Sequence, residues 1–206
     1  MVSKEQVYLA GIVDAYSLIP DDQWKLVLGL LKTCHLDENE YFIMQGDKPS
    51  RLAFILSGIF RVYCITEAGD EKILSFRTKG QAIAAYTPFL ENRPTWYSIQ
   101  ALEPGKLIYI HLDEFKNLSS DHPCWERVIK EYLIQLFIEK EDRERSFLTE
   151  DAKTRYLNFL KQFPELDKRI HNFYVASYLG ISPVTLSRIR GEIKKSRNEL
   201  NHIPSG

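Results

Sequence analysis

The side chains with the most specific chemistry lie near the C-terminal end of the chain, between positions 182 and 195. Guanidinium and ammonium groups bind phosphate oxygens, and a guanidinium can also donate two parallel hydrogen bonds to one pair of acceptors. Hydroxyl groups supply further donors. The candidates for such contacts are Ser182, Pro183, Val184, Thr185, Ser187, Arg188, Arg190, Lys194 and Lys195. This composition predicts a surface for an anionic partner.

The positive charge of the chain is also concentrated near its C-terminal end. Residues 167–206 contain seven Lys and Arg against three Asp and Glu, a charge of +4. The rest of the chain carries −5, and the whole 206-residue chain carries −1. A basic end on an acidic body indicates a local anionic partner, although a solvated tail can have the same composition.

A helix-turn-helix is the element that would position these side chains. Gly180 can end a first helix in the left-handed conformation, Ser182 is a good N-cap, and Pro183 suits the first position of a second helix. We expect that second helix to run from about Ser182 to Lys195. The predicted inner faces consist of Val175, Ala176, Leu179, Leu186, Ile189 and Ile193. An ordinary pair of core helices is the alternative, but it leaves the basic outer face unexplained.

The region before this motif contains helices and many short strands. Residues 1 to about 35 show helical spacing, with Trp24, Val27 and Leu31 on one stripe. Runs rich in β-forming residues then alternate with glycine-containing turns, which indicates a β-roll or barrel. The predicted strands are Tyr41–Gln45, Leu52–Ser57, Phe60–Ile65, Lys72–Phe76, Tyr97–Leu102 and Lys106–His111.

A long helix is predicted to begin at Asp121-His122-Pro123 and to become strongly charged after Phe137. Its apolar residues occupy more than one face, which indicates packing on its own domain and on a second partner. We therefore predict a homodimer through this helix. The candidate seam residues are Trp125, Ile129, Tyr132 and Leu136. A further amphipathic helix is predicted over residues 150–163.

With this order of elements, the chain resembles the cyclic AMP receptor protein / fumarate-nitrate regulator (Crp/Fnr) family of transcription factors. The segments that carry the resemblance are Gln45-Gly46-Asp47, residues 52–58, Gly69 to Leu74, and residues 175–190. It implies an α+β fold: a cyclic-nucleotide-binding-like jelly roll over 1–120, a dimerisation helix over 121–148, and a helix-turn-helix domain over 149–206. It also implies double-stranded DNA as partner, with RNA polymerase as a further candidate.

The resemblance assigns the second motif helix to the major groove. Arg188 matches the family's arginine that donates two hydrogen bonds to guanine O6 and N7. Val184 stands where many relatives carry Glu, so we expect a thymine methyl contact there instead of a bond to cytosine. The remaining polar residues are expected at the sugar-phosphate backbone. The family's β-hairpin wing is reduced here to the short polar segment 196–206.

The expected effector region departs from the family's nucleotide-binding pattern. Ala84-Ala85 stand where a Gly-Glu pair holds the ribose, and Thr95-Trp96 stand where an Arg pair neutralises the phosphate. Arg93 lies two positions too early. We therefore expect no tight binding of cyclic AMP or cyclic GMP, and a pocket that is filled by side chains or takes a more apolar effector. The candidate pocket residues are Ala84, Ala85, Tyr86, Phe89, Thr95, Trp96 and Tyr97.

Other classes of protein find little support. No Gly-x-Ser-x-Gly, His-Glu-x-x-His, P-loop or dinucleotide fingerprint occurs, so we do not expect an enzyme. Cys34, Cys64 and Cys124 lack a metal-ligand spacing, and no histidine has a haem-ligand context, so no cofactor is identified. Without a signal peptide or an apolar span, a cytoplasmic location is expected. The alternative function is a sensory module that binds a protein through a helix-turn-helix without useful DNA affinity.

Overall fold

A computed structural model describes residues 3–200, with side chains described as far as residue 195. Its helices are α1 (Lys4–Val13), α2 (Asp21–Leu30), α3 (Tyr86–Leu90), α4 (Leu112–Asp121), α5 (Pro123–Thr149), α6 (Ala152–Gln162), α7 (Leu166–Arg169), α8 (Asn172–Leu179) and α9 (Pro183–Leu200). Its strands are β1 (Lys32–Leu36), β2 (Tyr41–Ile43), β3 (Arg51–Ser57), β4 (Phe60–Ile65), β5 (Glu71–Arg77), β6 (Ala82–Ala84), β7 (Ser98–Ala101) and β8 (Gly105–His111).

The chain divides into two compact units, one up to Lys140 and one from Glu141 onward. The N-terminal unit holds all of the described strands, and the C-terminal unit is helical. The division falls within helix α5, whose residues therefore contribute to both units. The three-part boundaries expected at residues 120 and 148 remain predictions.

Two four-stranded antiparallel sheets form the roll of the N-terminal unit. One has the order β1-β8-β3-β6 and the other β2-β7-β4-β5. Between them lies a core of apolar side chains from both sheets. Its members include Phe42, Ala53, Ile55, Phe60, Ile83, Ile99 and Leu107. The predicted α+β fold with an N-terminal roll is confirmed.

The sheet β1-β8-β3-β6 is buried on both faces. In β3, Ala53 and Ile55 point toward the second sheet, whereas Leu52 points toward the helices. In β8, Leu107 and Ile108 divide in the same way. A strand covered on both faces is apolar throughout instead of alternating with polar residues. This explains the continuous run Leu-Ala-Phe-Ile-Leu in β3.

Helices α1, α2, α4 and α5 cover the outer face of that sheet. The indole N–H of Trp125 in α5 donates a buried hydrogen bond of 3.1 Å to Gln23 Oε1 in α2. The rings of Trp24 and Trp125 meet edge to face at 6.1 Å. One stripe of α5 is therefore fixed against the roll.

That stripe corrects the predicted dimer seam. Trp125 is only 2% exposed, and Ile129 and Tyr132 pack against the same core. Leu136 is half-buried. The helical spacing was interpreted correctly, but Trp125, Ile129 and Tyr132 cover the roll. The assignment of Leu136 to the seam remains a prediction. The exposed large apolar side chains of α5 within the N-terminal unit are Ile134, Phe137 and Ile138.

Several elements differ from the prediction because their formation depends on tertiary contacts. Residues 32–36 form β1 instead of ending the N-terminal helical segment, since all five pair with β8. Strand β6 has three residues and helix α3 five, too few to show a clear period. Helix α4 was also not predicted, whereas α5 begins at Pro123 as expected.

The C-terminal unit has a compact aromatic core. The Phe159 ring lies 5.4 Å from Phe163 and 5.6 Å from Tyr178, centroid to centroid. Val175 and Leu179 of α8 and Leu186 of α9 are buried in the same unit. Asp151 caps α6 by accepting a 2.7 Å hydrogen bond from the Thr154 N–H. These contacts hold α8 and α9 in one rigid pair.

Gly180, between α8 and α9, is constrained in two ways. Its φ is +67°, a left-handed conformation that only glycine adopts without strain. A Cβ added there would also lie 2.6 Å from Cε1 of Phe147. The turn therefore requires glycine.

We expect Gly180→Ala to lower the free energy of unfolding of the C-terminal unit by about 1–3 kcal/mol, because alanine resists a positive φ. Gly191→Ala is the matched control, since it lies within α9 and an added Cβ meets nothing within 4 Å. There alanine should raise stability by up to about 1 kcal/mol. Urea unfolding measures both, and equal effects of the two substitutions would contradict this account of the turn.

Candidate nucleic-acid interface

The turn that joins α8 to α9 is closed by backbone hydrogen bonds. The Gly180 N–H donates to the Ser177 carbonyl at 3.2 Å, and the Ile181 N–H donates to the Ala176 carbonyl at 3.0 Å. This pair of bonds is a Schellman motif, which satisfies carbonyls at the end of α8. The Thr185 N–H donates to Ser182 Oγ at 3.1 Å, which confirms the predicted N-cap of α9.

Helix α9 buries one face and exposes the other. Leu186 and Ile189 are buried, and Ile193 is half-buried, as the spacing predicted. Val184 is 80% exposed, although it is apolar. The other exposed candidates are Ser182, Pro183, Ser187, Arg188, Lys194 and Lys195, and Thr185 is half-buried. The structure therefore brings most of the predicted DNA-contacting residues onto one solvent-facing surface.

Arg190 is an exception and requires a correction. Its guanidinium bonds the carboxylate of Asp167, the Tyr156 hydroxyl at 3.1 Å and Asn172 Oδ1 at 2.5 Å. Burial lowers the pKa of Arg190, but the hydrogen bonds that it donates to Asp167 and Tyr156 outweigh burial and raise that pKa. The charge is thus neutralised within the unit. Arg190 positions α9 instead of contributing to the exposed basic surface.

Arg143, Phe147 and Arg155 also position the motif and were not found from the sequence. Arg155 Nε donates to the Leu179 carbonyl at 3.2 Å, and its Nη1 donates to the Glu150 carbonyl at 2.6 Å. The guanidinium of Arg143 lies 4.0 Å from the Tyr178 ring centroid, and burial lowers its pKa. Arg143 lies in the charged run of α5 and Arg155 lies in α6. In neither helix does the sequence distinguish an inward arginine from a solvated one.

Of the seven residues proposed for an effector pocket, Tyr86 is the one that lines the apolar cavity of the N-terminal unit. Ala85 packs between the two sheets, whereas Ala84 and Phe89 pack toward the helices. Trp96 is 48% exposed. The predicted set is therefore divided between different surroundings.

The polar groups of this region bond to the protein itself. The Tyr97 hydroxyl donates to the Ala84 carbonyl at 3.1 Å, and burial raises the pKa of Tyr97 to about 12. The Thr95 hydroxyl donates to the Tyr97 carbonyl at 3.0 Å. The hydroxyl groups of Thr95 and Tyr97 thus have hydrogen-bond partners within the protein itself.

Arginines near this region are also paired with carboxylates. Arg93 is exposed and forms an ion pair with Glu91. Arg77 pairs with Glu139 of α5 at 2.8 Å, and buried Arg61 pairs with Glu71 at 2.5 Å. A phosphate would have to compete with a carboxylate that is already bound at each of these three positions.

Two further classes of site were sought in residues 3–200. No three His, Cys, Asp or Glu side chains of this part of the chain come together as a metal-binding group would require. No described helix combines the length and the apolar character needed to cross a membrane.

Comparison with protein families identifies the kind of domain that the roll forms. Residues 33–122 match the model of the cyclic nucleotide-binding domain. This range begins within β1 and covers the other seven strands and all of α4, the elements built around the two sheets. The match identifies the domain. Ala85 and Thr95 still stand where the family's nucleotide-binding pattern has a Glu and an Arg.

Similar proteins extend the comparison beyond the roll. The fumarate and nitrate reduction regulatory protein of Vibrio cholerae is 26% identical over 173 residues, which are 78% of this chain and 68% of that protein. Electron transport regulator A of Shewanella oneidensis is 23% identical over 172 residues, with the same two coverages. The chain covers 62% of the length of a third relative, the anaerobic regulatory protein of Pasteurella multocida.

Among solved structures, FixK2 of Bradyrhizobium japonicum has a TM-score of 0.70 at 15% identity, over 81% of this chain and 85% of that one. This likeness supports the fold, and the regulators above supply the family. The chain therefore contains a cyclic nucleotide-binding domain and, over most of its length, is similar to transcription regulators of the Crp/Fnr family.

Proposed function

We propose that this protein is a cytoplasmic, dimeric regulator that binds DNA sequence-specifically through α9 and does not respond to cyclic AMP. The observation that carries the proposal is the exposed face of α9, which presents basic and hydroxyl side chains to solvent. The apolar stripe of the same helix is buried on the other side. A capped helix held rigidly at its first turn can enter a major groove with a fixed orientation. The relatives named above are regulators and not enzymes, which agrees with the absence of catalytic motifs in the sequence.

Base recognition is assigned to Arg188 and Val184. Both are exposed, and they lie one helical turn apart on α9. A guanidinium there can donate two hydrogen bonds to guanine, and the valine methyl groups can contact a thymine methyl. Lys194 and Lys195 lie further along the helix and are suited to phosphates. Ser182 and Thr185 share a 2.9 Å hydrogen bond, so their first role is to cap the helix.

A second subunit is assigned to the outer face of α5. Phe137 is 66% exposed, and Ile134 and Ile138 lie beside it. Exposed apolar side chains at this spacing are the usual seam between paired helices. Two subunits would present their α9 helices to half-sites about 34 Å apart, so a near-palindromic operator is expected. A contact with RNA polymerase remains a prediction.

Replacing Arg188 with alanine should weaken binding to the specific site by about 1–3 kcal/mol and relax the preference at one base pair per half-site. The first measurement is binding of the wild-type chain to random-sequence duplexes, followed by recovery of the bound sequences. Titration of the selected site with the wild type and with Arg188→Ala then gives the loss of binding free energy. An absence of DNA binding by the wild type would favour the protein-interaction alternative.

Lys195→Ala is the matched control for this experiment. It also removes one exposed basic side chain from α9, but at a position assigned to phosphate. Affinity should fall for all sequences alike, and the slope of log K against log salt should decrease by about 1. If Arg188→Ala left sequence preference unchanged, or Lys195→Ala altered it equally, the proposed placement of α9 would be wrong.

Cyclic AMP should not bind at micromolar concentration. Each charge-assisted hydrogen bond that the family's Glu and Arg supply contributes about 1.5–3 kcal/mol, and Ala85 and Thr95 supply neither. Isothermal calorimetry with cyclic AMP and cyclic GMP checks this, with DNA binding by the same sample as the control for folded protein. A micromolar dissociation constant would overturn this assignment.

Replacing Phe137 with aspartate should shift the protein from dimer to monomer at micromolar concentration, because each subunit would bring a charge into the apolar seam. Leu18→Asp is the matched control, since Leu18 is also exposed and lies outside α5. Sedimentation equilibrium gives the association constants. A monomeric wild type, or a dimer that Phe137→Asp leaves intact, would refute the proposed seam.

A further inference from the structure

An apolar cavity of about 50 Å³, partly open to solvent, lies on the helix-covered side of the sheet β1-β8-β3-β6. Val13 of α1 and Val27 of α2 form one wall, and Ala82 of β6 lies on the sheet side. Val128 and Ile129 of α5 close it from another direction. All of these residues belong to the N-terminal unit.

The walls of the cavity are apolar and held in place. The side chains that surround it expose carbon to the space, so a water molecule there would lack the two to four polar partners it needs. Aromatic rings packed edge to face support the walls: Trp24 on Trp125 at 6.1 Å, and Tyr16 on Tyr132 at 6.4 Å. The bond from Trp125 to Gln23 fixes the indole further.

These properties define the class of ligand. A charged or hydrogen-bonding molecule would lose its hydration and gain no partner, which excludes nucleotides and phosphates. The volume admits a single atom or a molecule of a few heavy atoms. Apolar protein cavities of this kind stay dry and take up such molecules as xenon or, when larger, benzene.

We propose that this cavity is a binding site for a small, uncharged apolar molecule. It is distinct from the region where the family pattern expects a nucleotide, since Tyr86 is the one residue of the seven candidates that borders it. The proposal does not rest on DNA binding, and it stands or falls by ligand binding in the N-terminal unit.

Helix α1 covers the site and is fastened at its edge by polar contacts. Lys106 Nζ of β8 donates to Glu5 Oε1 at 2.7 Å, and Gln6 Nε2 donates to the Leu28 carbonyl of α2 at 3.3 Å. Both contacts are partly exposed, and exposed ion pairs contribute little stability. Leu9 and Val13 of the same helix are buried in the core, so apolar packing holds α1 in place beside these polar contacts.

Xenon dissolved under pressure tests the site in the full-length protein. In methyl ¹H–¹³C spectra, the resonances of Val13, Val27 and Val128 should shift and saturate as xenon pressure rises. Methyl groups between the two sheets, such as those of Ile99 and Leu107, should not follow that curve. Lining methyl groups that fail to shift, or that shift linearly without saturation, would overturn the proposal.

Ala82→Val adds two methyl groups to the cavity and should abolish the saturable shifts. Ala53→Val is the matched control on the neighbouring strand, because Ala53 faces the core between the sheets. If either variant fails to fold, Leu9→Ala is used instead of the pair, because Leu9 lines the cavity and its truncation enlarges it. The methyl shifts of Leu9→Ala should saturate at lower xenon pressure than those of the wild type. Shifts that persist unchanged in Ala82→Val, or an unaltered curve for Leu9→Ala, would show that xenon binds elsewhere.

Discussion

Burial of the sheet β1-β8-β3-β6 on both faces is the constraint on which the N-terminal unit depends. One face must complement the second sheet, and the other must complement the helices α1, α2, α4 and α5. Strand β3 therefore has no polar side and fixes the register of both layers at once. The inward stripe of α5 follows from this requirement, and so does the exposed stripe that remains for another subunit.

The sequence predicted the elements that have a strong local signal. Helix α5, most strands of the roll and the α8–α9 motif follow from periodicity, proline, glycine and capping residues. It did not predict β1, because that segment becomes a strand only through pairing with β8. It also could not decide which stripe of α5 faces the roll. Trp125 and Phe137 are both large and apolar, and contacts from distant parts of the chain, such as Gln23, Trp24 and Phe115, make the first position interior.

The candidate interface shows the same limit at the level of single side chains. Arg188 and Arg190 are two residues apart on α9, so a helix directs them to different faces. The sequence placed both on the basic surface, but Asp167, Tyr156 and Asn172 hold Arg190 inside. Those partners come from α6, α7 and α8, and no local pattern connects them to α9. The position of the exposed basic side chains of α9 thus depends on an arginine that is paired within the unit.

Charge and volume make different demands on the two units. In the N-terminal unit, Arg61, Arg77 and Arg93 are bound by carboxylates of the chain itself, and the neighbouring cavity is apolar. A ligand there can be selected only by size and desolvation. A cavity of 50 Å³ costs about 1 kcal/mol relative to a filled core, so occupancy by an apolar molecule recovers contacts that the protein alone lacks. On α9 the exposed basic side chains meet solvent, where an anionic partner is attracted over a Debye length. The apolar cavity and the exposed basic side chains of α9 therefore belong to separate units of the chain.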